Sequence, residues 1–206
     1  MKKGIFITIE GPDGSGKSTQ IKYMEDFFEK RNIKPVFTRE PGGTRIGERI
    51  RDIILDKDFT EMCSMTEALL YAASRAQHVE EVIKPALESG KIVVCDRFVD
   101  SSIVYQGYGR GLGESVRIIN DYAVAGVMPD LTILFEIDPS VGKNRIRTDK
   151  QDRLEMEKID FHNKVFDAYK VLAINNQDRI VAIDASRNIE SIRDEIYGIL
   201  SNIIKD

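Results

Sequence analysis

The stretch GPDGSGKST at residues 11–19 has the composition of a loop that binds phosphates. It fits the complete P-loop pattern, follows an apolar strand-like run and opens an amphipathic helix. In such a loop, backbone N–H groups surround the phosphates, the lysine reaches the outer phosphates and the serine hydroxyl can ligate Mg²⁺. The alternative, a chance match in a glycine-rich turn, is disfavoured by this context. We predict that ATP with Mg²⁺ binds at Gly11, Pro12, Asp13, Gly14, Ser15, Gly16, Lys17, Ser18 and Thr19.

A second candidate site follows the apolar run KIVVC, which ends in Asp96 and Arg97. This order places a carboxylate and a cation at the carboxyl edge of a buried strand, where ligands of α/β sheets bind. Asp96 is predicted to hold the Mg²⁺ hydration shell, and its alternative role is that of a loop-capping or ion-pairing aspartate. A GTPase switch requires Asn-Lys-x-Asp, whereas the stretch NNQD at 175–178 lacks the lysine. The switch interpretation is therefore disfavoured.

Two arginine-rich segments occur in an otherwise acidic chain. The first carries Arg39, Arg45, Arg49 and Arg51, and the second carries Lys143, Arg145, Arg147, Lys150 and Arg153. Single surface arginines are usually solvated, but two clusters beside a P-loop suit transfer of phosphate between two phosphorylated molecules. We expect a lid at about 143–155 that closes over the site and excludes water.

A helix that begins near residue 64 carries a face suited to a nucleobase. Tyr71, Arg75 and His78 are spaced so that they share this face. Roughly opposite lies an apolar stripe that we expect to face the core, formed by Leu69, Ala73, Ala76 and Ile83. An aromatic ring can stack on a base, and an arginine one turn further can donate to its carbonyl edge. His78 alone is as readily a packing residue.

The elements that position these residues alternate along the chain. Strands are predicted at 4–10, 35–39, 91–96, 131–138 and 179–184, and helices at 17–31, 46–56, 65–88 with a bend at Pro85, and 157–174. Four glycines in 107–113 predict a turning loop. Alternating strands and helices predict a three-layer α/β fold with a five-stranded, mostly parallel sheet.

Length and composition bound the remaining possibilities. The 206 residues, with 42% hydrophobic content, predict a single domain over 1–206. There are 30 basic and 34 acidic side chains, a balance that does not indicate nucleic-acid or anionic-membrane binding. The first apolar run is too short for a signal peptide or a membrane span, so we expect a cytoplasmic protein.

These residues resemble the thymidylate kinase family, which phosphorylates dTMP with ATP. The resemblance runs nearly end to end, through the stretches GPDGSGKST, TREPGGT, LLYAASRAQH, CDRFVDSSIVYQG, MPDLTILFEID, and DRLE followed by FHNKVFDAY. It implies the P-loop nucleoside monophosphate kinase fold, a homodimer and a bacterial type whose catalytic arginine comes from the lid, because the P-loop has none.

The resemblance also implies roles for individual residues. Asp13 would lie near the sugar 3′-hydroxyl and the metal, together with Ser18 and Asp96. The acceptor phosphate would be held by Arg51 and Arg97, with Arg39 in support. The base and sugar would contact Tyr71, Arg75, Ser102, Tyr105 and Gln106. Arg147 and Arg153 would face the transferring group with Arg145 behind them, and Glu155 would contact metal or substrate. Tyr71 replaces the more usual phenylalanine of the family.

Two other functions stay open at this point. A deoxynucleoside kinase would accept an uncharged nucleoside, and a nucleotide-binding switch would transfer nothing to a small acceptor.

Overall fold

The structure, a computed structural model, describes residues 4–145 and 151–204. Five strands form one sheet in the order β2-β3-β1-β4-β5, and every pairing between them is parallel. The strands are β1 (Ile5–Glu10), β2 (Val36–Arg39), β3 (Ile92–Asp96), β4 (Leu131–Glu136) and β5 (Ile180–Asp184). This confirms the predicted fold class. The strand ends lie within two residues of the positions predicted from the apolar runs.

Helices cover the sheet and connect its strands. They are α1 (Lys17–Glu29), α2 (Arg45–Leu55), α3 (Ser64–His78), α4 (Lys84–Glu88), α5 (Val99–Ser102), α6 (Glu114–Val124), α7 (Pro139–Arg145), α8 (Ile159–Asn175) and α9 (Ile189–Ile203). Among the helices in the described part of the chain, none combines the length and apolarity needed to cross a membrane.

The central strands are buried on both faces, as their unbroken apolar runs require. On one side, Ile7, Ile9 and Ile133 pack with Phe27 and Phe28 of α1 and with side chains of α9. Phe6, Val93 and Cys95 belong to a second core with Ile83 and Phe98. The two cores hold the sheet rigidly, so the loops at its carboxyl edge start from fixed positions.

A π-helical segment, Val79–Ile83, lies between α3 and α4, directly before the position of Pro85 where a bend is predicted. Proline has no N–H to donate to the preceding turn, and a widened turn next to it accommodates that loss without a break. A second π-helical segment, Ile103–Gly109, follows α5. The expectation of a loop over 107–113 was therefore wrong for 107–109, because these glycines continue a helix that is anchored at its start by buried side chains.

Helix α3 faces the opposite way from the expectation. Leu69 is 49% exposed and Ala73 is also exposed, whereas Glu67, Arg75 and His78 are buried. The polar face is turned inward because buried partners satisfy it: Glu40 accepts from Arg75 Nε at 2.8 Å and lies 3.0 Å from His78 Nδ1. The predicted apolar stripe therefore lies on the surface at Leu69 and Ala73, whereas its last member, Ile83, is buried in the core.

The P-loop is closely packed against α7. A Cβ on Gly14, whose φ is +75°, would lie 2.1 Å from the carbonyl oxygen of Gly142, and a Cβ on Gly142 would lie 2.8 Å from that of Asp13. Only glycine fits at either position. The helix that leads into the predicted lid thus rests directly on the phosphate-binding loop.

Candidate active site

A cleft of about 700 Å³ lies beyond the carboxyl ends of the strands. Its walls come from the carboxyl ends of the five strands and the segments that follow them, which are five separate parts of the chain. Of the predicted site residues, the lining includes Asp13, Gly14, Ser15, Gly16, Lys17, Ser18, Thr19, Arg39, Arg51, Tyr71, Asp96, Arg97, Tyr105 and Gln106. One cleft therefore contains both the P-loop and most of the predicted acceptor side.

Lys17 lies at the P-loop end, where α1 begins after Gly16 in a left-handed conformation. Its Nζ donates to the carbonyl oxygens of Gly11 and Pro12, both at 2.9 Å. Burial and the nearby charge of Arg97 lower the pKa of Lys17 to about 8. An ammonium group with a lowered pKa is one that a bound polyanion will stabilise in its charged form.

Asp13 pairs with Arg97 across the cleft, with Oδ1 at 2.5 Å from Nη2. Burial opposes ionisation of Asp13, but Arg97 and Lys17 keep the pKa of its carboxyl below the usual value. The carboxylate in the P-loop thus has a definite structural partner, which fixes the guanidinium that is predicted to hold the acceptor phosphate.

The backbone of Arg97 adopts a φ of +68°, which is uncommon for a residue with a side chain. Its N–H donates to the carbonyl oxygen of Ile9 at 2.9 Å, and its Nη1 donates to the Ser101 hydroxyl at 3.2 Å. The left-handed turn redirects the chain at the end of β3, so that the guanidinium points over the P-loop rather than along the strand.

Glu10 stabilises the turn at Arg97 through hydrogen bonds to the residues that follow it. The sequence analysis did not identify Glu10. Its carboxylate is fully buried and accepts from the N–H groups of Phe98 and Ser101, from the Ser101 hydroxyl at 2.6 Å and from the Tyr169 hydroxyl at 2.8 Å. Burial and the neighbouring Asp100 raise the pKa of Glu10. The available signal was a charged residue at the end of an apolar strand, directly before the P-loop.

Two further basic residues of the cleft, Arg39 and Arg51, come from β2 and α2. Arg51 donates through Nη1 to the carbonyl oxygen of Pro41 at 2.9 Å, and Arg39 donates to Glu48 at 2.8 Å. Both guanidinium groups keep further N–H donors for a ligand. Together with Arg97 they form a cationic wall that would suit a phosphate monoester.

The far end of the cleft has the character of a base pocket. Tyr71 and Tyr105 line it together with Gln106, Leu55 and Leu154. The hydroxyl of Tyr105 is buried and has no hydrogen-bond partner among the described residues, and Arg97 lies 5.3 Å from the centroid of its ring. Burial raises the pKa of both tyrosines well above the usual value, so the two rings stay neutral.

Two predicted substrate-binding residues, Arg75 and Ser102, and the predicted catalytic residue Arg153 lie outside this lining. Arg75 is fully buried and donates to Glu40, to the Ser102 hydroxyl at 3.0 Å, to the carbonyl oxygen of Phe98 at 3.0 Å and to Asn120. The Ser102 hydroxyl accepts a hydrogen bond from Arg75 and is engaged in that contact. Arg153 is turned toward α3, where its Nη2 donates to Glu67 at 2.6 Å. In the structure, all three side chains make hydrogen bonds to other protein groups. Arg147 lies outside the described residues.

A divalent cation fits the residues beside the P-loop. The Oδ1 atom of Asp96 is buried without a hydrogen-bond partner among the described residues, although Asp96 lines the cleft. The Ser18 hydroxyl lines the same region. No cluster of three or more His, Cys, Asp or Glu side chains in the described ranges forms a protein-only metal site. The donor set therefore suits Mg²⁺ that is bound jointly by the protein and by phosphates.

Comparison with known proteins agrees with this geometry. The family model described as thymidylate kinase matches residues 9–196. The chain belongs to the thymidylate kinase family. Thymidylate kinases of Geobacillus thermodenitrificans and Clostridium novyi are 51% and 48% identical to it, each over 97% of this chain and over 91% and 100% of the relative. The crystal structure of the enzyme from Ehrlichia chaffeensis is similar with a TM-score of 0.74 at 32% identity, covering 96% of this chain and 99% of the other.

A further group of residues lines the cleft outside the P-loop and the predicted acceptor side. Gln20, Arg187, Asn188 and Ile189 line it, with Arg145 of α7. The Oε1 atom of Gln20 is buried and has no partner among the described residues, while its Nε2 donates to the carbonyl oxygen of Ile189 at 2.9 Å. Apart from Arg145, the sequence analysis did not identify these residues, because they come from α1 and from the segment after β5.

Proposed function

We propose that this enzyme transfers the terminal phosphoryl group of ATP directly to the phosphate of dTMP, giving dTDP and ADP. The observation that carries the proposal is the single cleft in which the P-loop faces three arginines and a pocket with two neutral tyrosines and an amide. A nucleotide donor and a small phosphorylated acceptor both fit this arrangement. The match to the thymidylate kinase family over residues 9–196 supports dTMP as the acceptor.

The side chains divide the work of the reaction. The backbone N–H groups of residues 13–19 and Lys17 would hold the donor phosphates, while Arg51 and Arg97 would hold the acceptor phosphate, supported by Arg39. Asp13 would keep Arg97 in register and approach the acceptor sugar. Catalysis then comes from positioning and charge neutralisation, without a covalent intermediate.

Mg²⁺ would be held by Ser18 and Asp96, with Asp13 nearby, and would supply charge neutralisation between the phosphates. The catalytic arginine of the lid remains a proposal for Arg147. The contact of Arg153 with Glu67 argues for a positioning role for that residue, because its guanidinium would have to leave a buried carboxylate to reach a phosphate. Glu155, which lines the cleft, remains a candidate contact to metal or substrate.

A panel of acceptors tests the proposed function. We expect ADP release with dTMP to exceed that with AMP, dGMP or dCMP by orders of magnitude, because a purine is larger than a pyrimidine and cytosine lacks the imide edge of thymine. Thymidine itself should be inactive, since the three arginines need a phosphate. Equal turnover of AMP and dTMP would contradict the proposal, and turnover of thymidine would favour a nucleoside kinase. The comparisons support neither that alternative nor a switch.

We also propose a homodimer. Met65 and Leu69 on α3 are exposed, as are Ile53 on α2 and Ile118 and Tyr122 on α6. Helix α3 packs against both other helices, so the three form one layer with apolar side chains on its surface. Exposed apolar surface of this kind is typical of protein interfaces. Light scattering should give twice the chain mass of 23.4 kDa, and a monomeric mass at micromolar concentration would contradict the proposal.

The boundaries of the lid, about 143–155, and a single functional unit over 1–206 stay predictions. The cytoplasmic location also stays a prediction from the sequence.

A further inference from the structure

Glu67 is a fully buried carboxylate in the first turn of α3 that the proposed mechanism does not use. Its Oε1 accepts from Gln106 Nε2 at 2.8 Å and from Arg110 Nε at 3.2 Å. Its Oε2 accepts from Arg110 Nη2 at 3.0 Å and from Arg153 Nη2 at 2.6 Å. Burial opposes its ionisation, but the hydrogen bonds from Arg110 and Gln106 keep the pKa of Glu67 below its usual value.

An ionised carboxylate accepts hydrogen bonds and donates none. The side-chain amide of Gln106 must therefore present its NH₂ group to Glu67, and the reversed orientation would bring two oxygens to about 2.8 Å from each other. One N–H of the amide is used in this contact. Because Gln106 lines the base end of the cleft, its carbonyl oxygen and its second N–H are the groups available to a ligand.

These two groups match one type of base edge. The imide edge of thymine or uracil offers an N3–H donor next to a carbonyl acceptor, which complements an amide oxygen next to an amide N–H. Cytosine offers the reverse, an unprotonated N3 acceptor next to an amino donor. Gln106 could pair with cytosine only after its amide turned over.

We propose that Glu67 is a positioning residue that locks the Gln106 amide in the orientation required by a pyrimidine imide and thereby excludes cytosine nucleotides. The inference rests on the proposed function, in which the acceptor is dTMP. The discrimination comes from an unfavourable interaction in the cytosine complex rather than from an added attraction to thymine. To pair with cytosine, Gln106 would have to turn its amide oxygen toward a carboxylate oxygen of Glu67, and these two oxygens repel each other.

Two arginines, Arg110 and Arg153, stabilise the contact between Glu67 and Gln106. Arg110 and Arg153 supply the charge that maintains Glu67 as a carboxylate, and Arg153 also donates through Nε to the carbonyl oxygen of Ile54 at 3.0 Å. Arg153 precedes Leu154, which lines the base end of the cleft. The same carboxylate thus fixes the amide that contacts the base and the segment that covers it.

The variant Glu67→Gln tests the proposal, because a neutral amide at 67 can donate to or accept from Gln106 and so permits both orientations. We expect the ratio of kcat/KM for dTMP to kcat/KM for dCMP to fall about tenfold or more. The change should arise from a higher KM for dTMP and a lower KM for dCMP. A loss of packing alone would reduce kcat/KM equally for both substrates and leave the ratio unchanged.

Glu157→Gln is the matched control. Glu157 pairs with the same Arg110 through Nη1 at 2.5 Å but lies on the outer side of the cluster and does not contact Gln106 in the described structure. In this variant, the ratio of kcat/KM for dTMP to kcat/KM for dCMP should stay within about twofold of the wild-type ratio. An unchanged ratio in Glu67→Gln, or an equal change in both variants, would overturn the inference. Failure of the wild-type enzyme to phosphorylate dTMP would instead contradict the proposed function.

A measurement on the wild-type enzyme covers the case in which Glu67→Gln does not fold. The side-chain amide of Gln106, assigned in ¹⁵N spectra by its loss in Gln106→Leu, should show one N–H protected from solvent exchange before any nucleotide is added. Rapid exchange of both protons would overturn the inference.

Discussion

Replacing Arg97 by alanine is expected to raise the KM for dTMP and to lower kcat, so that kcat/KM falls by about 10³- to 10⁵-fold. Arg97 pairs with Asp13 of the P-loop and lies in the cationic wall that faces it. Its loss would remove the proposed contact to the acceptor phosphate and leave the partly buried Asp13 carboxylate without its closest partner. Steady-state kinetics with both substrates varied measures the two effects separately.

Two further variants make this test specific. Arg97→Lys keeps a charge but not the planar group that pairs with Asp13 and a phosphate together, so it should recover only part of the loss. Arg193→Ala is the control, because Arg193 pairs with the adjacent Asp194 on the outside of α9 and lies away from the cleft. If Arg97→Ala left both KM and kcat unchanged, the acceptor phosphate would have to bind elsewhere.

Replacing Lys17 by methionine is expected to lower kcat by about 10²- to 10³-fold, the usual cost of removing one preorganised donor from a site of charge transfer. In the structure, Nζ is held by two backbone carbonyl oxygens of the P-loop. This arrangement holds the ammonium group at the P-loop, and its third N–H makes no hydrogen bond among the described residues, so it can donate to a phosphate. The loss should appear in kcat more than in the KM for dTMP, since Lys17 lies on the donor side.

The pH dependence of ATP binding gives an independent check on Lys17. Its pKa is lowered to about 8 by burial and by Arg97, so Lys17 loses its proton as the pH rises through that value in the free enzyme. Bound phosphates stabilise the charged form and raise the pKa again. ATP affinity should therefore fall above pH 8, and binding there should take up a proton.

Calorimetry in two buffers of different ionisation enthalpy measures this proton uptake directly. Lys17→Arg should bind ATP without it, because arginine stays charged across this range. Proton uptake of equal size in wild type, Lys17→Arg and Lys17→Met would show that another group titrates.

The sequence by itself determined the features that depend on local order. The P-loop is a contiguous segment, and its glycines, lysine and following helix are fixed relative to one another by a single turn of chain. The strands are recognised from unbroken apolar runs because a parallel sheet is buried on both faces. Placing Asp96 and Arg97 at the edge of the sheet followed from the position of one strand end.

Only the tertiary structure decided which polar side chains face the ligand and which face each other. Tyr71 and Arg75 share a helix face, yet the first lines the cleft and the second is enclosed by Glu40, Ser102 and Asn120. Periodicity identifies a face but not the partners that cover it. Such partners are distant in sequence: the bond from Arg75 to Asn120 joins residues 45 positions apart.

The buried carboxylates illustrate the same limit most clearly. Glu67 meets Arg153 over a separation of 86 residues, and Glu10 meets Tyr169 over a separation of 159. A charged residue in a sequence is normally assigned to the surface, and burial becomes favourable only when several donors converge on it. That convergence is a property of the folded chain, because it depends on strand order and helix packing that bring separate segments to one point.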